Sequence, residues 1–136
     1  MCRLCIVAVL LLLLSGCTEG AYDKDKPVSI EFIKENASSL EGRLVLTSGI
    51  FEIYPNLSLF QDLDARNGAG QIRLKKAIML NVDFEYDEIS SLDCYGKVVI
   101  AEGTVVKGKK MDAYYLGGTV RITNSKGEIC HVFQGQ

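Results

Sequence analysis

With 136 residues, 48% of them hydrophobic, the chain suffices for one domain with a single core. Fifteen basic residues stand against 17 acidic ones, a net charge of −2. That balance argues against nucleic acid as a partner, since its binders carry a basic face. The two basic groups, Arg73/Lys75/Lys76 and Lys107/Lys109/Lys110, read as solvated strand edges.

In chain order, the first feature is an uncharged run of eleven residues from Leu4 to Leu14, preceded by Arg3. A helix needs about 20 apolar residues to span a bilayer, so the run reads as the apolar stretch of a signal peptide; the competing reading is a buried first helix. It ends in Leu14-Ser15-Gly16-Cys17. This segment resembles the lipobox of bacterial lipoproteins. The resemblance implies that residues 1–16 are removed and that the Cys17 thiol and its new amine carry acyl chains. A thiolate is the strong nucleophile such chemistry requires, and several chains together anchor a protein stably where one does so marginally. Thr18 in place of aspartate resembles Gram-negative cargo passed to the outer membrane, facing the periplasm; a Gram-positive host would hold the protein on the outside of its only membrane. Loss of Arg3 leaves a mature chain with about three net negative charges.

Residues 17–26 are polar without a hydrophobic period and read as the lipidated cysteine plus a flexible tether, closed by Pro27. The domain is expected over 27–136. Ser29 is placed to cap a short helix over "IEFIKEN", with Ile30 and Ile33 on one face. Strand character follows at 43–53, and at 57–63 with Leu57, Leu59 and Leu63 on one face. Asn67-Gly68 is a turn signal. A strand is predicted at 77–82 with Ile78, Leu80 and Val82 inward, then an acidic connection "DFEYDEISSLD". Strands at 97–106, 114–123 and near 129–133 complete the list, with turns at Gly108 and "NSKG".

One pattern occurs twice. Gly42-Arg43-Leu44-Val45-Leu46-Thr47-Ser48-Gly49 matches Gly96-Lys97-Val98-Val99-Ile100-Ala101-Glu102-Gly103, 54 residues on. A glycine weakens a strand unless the strand must bend sharply there, so two such strands are candidate corners of a small barrel; two similar strands in an unrelated sandwich are the alternative. With its helix before the fourth strand, "YDEISSLD", the pattern resembles the OB-fold, and more narrowly the small OB-like domains of bacterial envelope proteins, many of unknown function. The resemblance implies a mainly β, five- to six-stranded Greek-key barrel with one or two short helices. It further implies a ligand face on strands 2 and 3 and the loops joining strands 1–2 and 4–5. Tyr54 falls in the first of those loops, Phe60 on strand 2, and Tyr114 and Tyr115 open strand 5. These four rings are the candidate ligand-binding residues, with core or barrel-plug roles as the alternative.

Catalytic signatures are missing. His131 is the sole histidine, and its neighbour Cys130 would point to the opposite strand face. Neither the acidic positions from Asp83 nor those from Asp62 continue as a calcium loop, and no cofactor or metal is implied. With Cys2 and Cys5 removed and Cys17 lipidated, Cys94 and Cys130 remain as an expected disulfide; two buried free thiols are the rival. The expectation is a lipid-anchored, non-catalytic binding module whose partner is another envelope protein or a glycan. The alternative is a periplasmic enzyme or enzyme inhibitor that works through carboxylates.

Overall fold

Strands β2 (Leu44–Ile53) and β5 (Val98–Lys107) form the spine of the domain in a computed structural model describing residues 23–109 and 112–135. The expected signal peptide, Cys17, the tether as far as residue 22, and Lys110 lie outside the described residues. Around the spine are β1 (Pro27–Val28), β3 (Leu57–Phe60), β4 (Ala77–Met79), β6 (Tyr114–Thr123) and β7 (Ile129–Phe133). One sheet holds the strands: six run antiparallel in the order β4-β3-β2-β5-β6-β7, and β1, off this path, pairs parallel to β2. Past β4, Leu80 makes a single parallel bridge to Leu116 of β6 and Val82 an antiparallel one to Gly135. The ladder is not closed into a barrel by a continuous strand pair there. Among the described residues no helix is long and apolar enough to cross a membrane.

The duplicated pattern turns out to be one contact seen from both sides. Its copies are antiparallel neighbours, with Val45 opposite Gly103 and Gly49 opposite Val99. Gly42 donates its N–H to the Val105 carbonyl at one end, and Gly96 donates to the Phe51 carbonyl at the other, both at 2.8 Å. These leading glycines have φ of 79° and 73°, a left-handed conformation that costs glycine little. The second glycine of each copy is buried and leaves room for its surroundings: an added Cβ at Gly49 would stand 2.9 Å from the Phe60 carbonyl oxygen. Beside Gly103, the β5–β6 register shifts between Glu102 and Thr104, the irregularity expected where a strand bends.

Five short helices, more than the one or two expected, connect the strands: α1 (Ile30–Glu35), α2 (Ala37–Leu40), α3 (Leu63–Asn67), α4 (Gln71–Lys76) and α5 (Tyr86–Ser90). Ser29 caps α1 as its sequence indicates, Oγ accepting from the Phe32 N–H at 3.0 Å, an interaction worth about 1 kcal/mol. Ile30 and Ile33 are buried under the sheet with Phe51, Leu59, Ile78 and Val99. Pro27 does more than close the tether: β1 lies on β2, and the Thr47 hydroxyl donates to the Val28 carbonyl at 2.7 Å.

Three expectations are corrected between β3 and β4. The predicted strand at 57–63 stops at Phe60, and Leu63 is exposed at the start of α3 rather than facing the core. The reason is Asp62, whose carboxylate caps α3 by accepting from the Ala65 N–H at 2.8 Å. That bond, followed by the charge of Lys76, holds the Asp62 pKa below the usual carboxylate range. Asn67-Gly68 does not turn a hairpin but ends α3, with Gly68 donating to the Asp64 carbonyl. Arg73, Lys75 and Lys76 lie in α4 and not on a strand edge. Ile78, Leu80 and Val82 are buried as predicted, although regular pairing ends at Met79.

The last strand is tied back. Cys94 and Cys130 stand at disulfide-bonding distance with their Cα atoms 6.4 Å apart. Cys94 lies in the turn before β5 rather than at the start of the strand, and Cys130 in β7.

Candidate binding groove

Two loops and one chain segment build a concavity away from the disulfide. The first loop joins β2 to β3 and is held by the Tyr54 N–H donating to the Asn56 carbonyl at 2.8 Å. The second joins β5 to β6, where the Gly108 N–H donates to the Ala113 carbonyl at 2.8 Å. Between them, the chain leaving β4 is pinned on both sides. Leu80 donates to the Leu57 carbonyl at 2.9 Å, and Asn81 to the Leu116 carbonyl at 2.7 Å. The result is a groove of about 680 Å³.

Its lining is specific in chemistry. Phe84 and the half-buried Tyr115 supply rings, Asn56 and Asn81 supply exposed carboxamides, and Lys107 and Lys109 supply charge. Met79 forms part of the floor, its sulfur 3.5 Å from the Asn56 side-chain nitrogen. Lys107 is held in place by Asp112 at 3.0 Å. That hydrogen bond, then the carboxylate's charge, raises the Lys107 pKa above the usual lysine range. No carboxylate lines the groove among the described residues. What it offers is stacking surface, amide hydrogen bonds and the ammonium groups of Lys107 and Lys109.

The four rings singled out from the sequence do not meet. Tyr115 lines the groove, while Tyr114 packs against the core. Tyr54 is in the predicted loop and 59% exposed, but it borders a different cavity, with the Arg73 guanidinium 4.2 Å from its ring centroid. Phe60 is on the predicted strand yet only 1% exposed, so it offers no platform. It is buried with Ile50 and Ala65 because α3 covers the outer face of β2 and β3. Phe84, Asn56 and Asn81 were not anticipated. For Phe84 a signal existed: the alternation Ile78, Leu80, Val82 continues to it with period two.

His131 is not among the groove's lining residues; its ring is tilted 60° against Phe133 with centroids 4.4 Å apart, and Nε2 lies 4.0 Å from a Glu88 carboxylate oxygen. A third concavity, about 610 Å³, surrounds Cys94 and Cys130 and is bordered by Asp93, Lys97, Lys126 and Glu128. Compared with known proteins, the chain matches no family model, and neither a curated protein nor a solved structure matches it.

Proposed function

We propose that this protein is a lipoprotein of the bacterial cell envelope, anchored through Cys17 in the outer membrane and facing the periplasm. Its OB-like domain works there as a non-catalytic binding module for a glycan. The anchor rests on Leu14-Ser15-Gly16-Cys17 behind the apolar run. The OB-like reading is supported by the path β4-β3-β2-β5-β6, by α5 ahead of β5, and by the parallel Leu80–Leu116 bridge that brings the segment after β4 against β6. The groove carries the binding function: two rings beside two exposed carboxamides match the apolar faces and hydroxyl edges of a sugar. It also opens between the loops that serve as the ligand face in such barrels.

Two measurements test this reading. Cys17→Ala is expected to move the protein from the membrane to the soluble fraction or to leave the precursor uncleaved. Mass spectrometry showing an unmodified mature N-terminus at another residue sinks the anchor. For the groove, calorimetric titration with soluble envelope glycan fragments is expected to show binding that Tyr115→Ala and Phe84→Ala each weaken by about 1–3 kcal/mol, the range for one lost stacking ring. Binding that both variants leave intact removes the groove from consideration. A cross-linked envelope protein captured through the groove, with no glycan binding, makes the partner a protein instead.

A further inference from the structure

On the far side of the Tyr54–Asn56 loop, a smaller cavity of about 220 Å³ is lined by Tyr54, Arg66, Asn67 and Arg73. Its two guanidiniums are not equivalent. Arg66 is neutralised by Glu52 through a side-on pair, Nε to Oε2 at 2.8 Å and Nη2 to Oε1 at 3.3 Å. Arg66 Nη1 also donates to Asn67 Oδ1 at 3.0 Å. Arg73 has no carboxylate partner among the described residues. Its Nη2 donates to the Arg66 carbonyl at 2.6 Å, and its plane lies over Tyr54 at 4.2 Å and Phe60 at 5.5 Å. Its Nε is buried without an acceptor.

The ring contacts fix the guanidinium in one orientation, so little rotamer entropy remains to be lost on binding. The Glu52–Arg66 pair cancels, which leaves the cavity with the single positive charge of Arg73. Its lining residues carry donors: the Arg73 guanidinium, the Asn67 carboxamide and the Tyr54 hydroxyl. The volume equals about seven waters at roughly 30 Å³ each, room for one small charged group and a short stem.

We propose that this cavity is a receptor for a singly charged oxyanion, a carboxylate or a phosphodiester, held by the Nη1–Nη2 edge of Arg73 beside Asn67. A guanidinium edge presents two N–H groups to two oxygens, a match that an ammonium does not make. One net charge selects a monoanion, because a phosphate dianion would bring a second charge with no partner. The site is independent of the glycan groove, which shares none of its lining residues.

The test uses the full chain in detergent, labelled with nitrogen-15, with the arginine side-chain resonances followed as sodium acetate or dimethyl phosphate is added. Sodium chloride at equal ionic strength is the reference. Either oxyanion is expected to give saturating shifts at Arg73 and Arg66 that chloride does not reproduce. Saturation by acetate alone assigns a carboxylate, by dimethyl phosphate alone a phosphodiester, and by both a monoanion of either kind. Arg73→Lys, which keeps the charge but loses the fork, is expected to weaken binding by about tenfold or more, the loss of one charge-assisted hydrogen bond. Asn67→Ala, at an exposed position, is expected to weaken it by about threefold and serves if the lysine variant does not fold. Shifts that stay linear and equal to those in chloride overturn the proposal. So does affinity unchanged in both variants, or inorganic phosphate at pH 8 binding over about tenfold more tightly than either monoanion.

Discussion

Gly49→Val is expected to destabilise the domain by about 3 kcal/mol, the upper end of the range for overpacking a core. An added Cβ there would stand 2.9 Å from the Phe60 carbonyl oxygen, 3.1 Å from Ile30 Cδ1 and 3.2 Å from Leu59 Cβ. The nearest of these is backbone, and it belongs to the β2–β3 ladder in which Ile50 opposes Phe60 and Phe51 opposes Leu59. It cannot withdraw without shifting that register, and α1 closes the site through Ile30. The equivalent glycine of the other copy is more forgiving. A Cβ at Gly103 would meet Val120 Cγ2 at 3.2 Å and Leu116 Cβ at 3.4 Å, side-chain atoms that can give by a few tenths of an ångström. Gly103→Val is therefore expected to cost about 1–2 kcal/mol. Urea unfolding with an unchanged m-value measures both. A Gly103 variant that loses as much as or more than the Gly49 variant would contradict the asymmetry.

Removing the Cys94–Cys130 link is expected to cost up to about 4 kcal/mol, the chain-entropy value for a loop of this length, since the two residues lie 36 apart in sequence. The loss should fall unevenly. Among the described residues, β7 is an edge strand laddered only with β6, supplemented by the Val82–Gly135 bridge. The segment from Ile129 onward is thus expected to lose amide-exchange protection first, with β2 and β5 keeping theirs. Thiol counting on the unfolded, unreduced protein is the direct check. A count of two free thiols per chain would refute the link. So would a denaturation midpoint that reduction leaves in place.

Much of the domain was legible locally. β6 and β7 begin and end where alternating apolar residues and the flanking turn residues place them, at Tyr114–Thr123 and Ile129–Phe133. Ser29 and the Ile30/Ile33 spacing specify α1, and the period-two run Ile78-Leu80-Val82 is buried whether or not its backbone is laddered. Each of these signals needs only one exposed and one buried side, which a short window of sequence records. The glycine–valine pattern also marked β2 and β5 as related strands.

Tertiary structure alone decided what those strands do to each other. Nothing in either copy states that Val45 will face Gly103 and Val99 face Gly49; that follows from the antiparallel register. The same holds for the rings. β3 is buried on both faces, from Leu57 to Phe60, so its alternation is lost and Phe60 reads as an available platform when α3 in fact covers it. Helices of five and six residues are too short to display a 3.6-residue period, which is why α3 and α4 left only a turn signal and a basic cluster in the sequence. Arg73 shows this most plainly. Its tethered guanidinium, its rings and its unpaired Nε come from α4, the β2–β3 loop and β3, and only the folding of α4 onto the outer face of the sheet joins them.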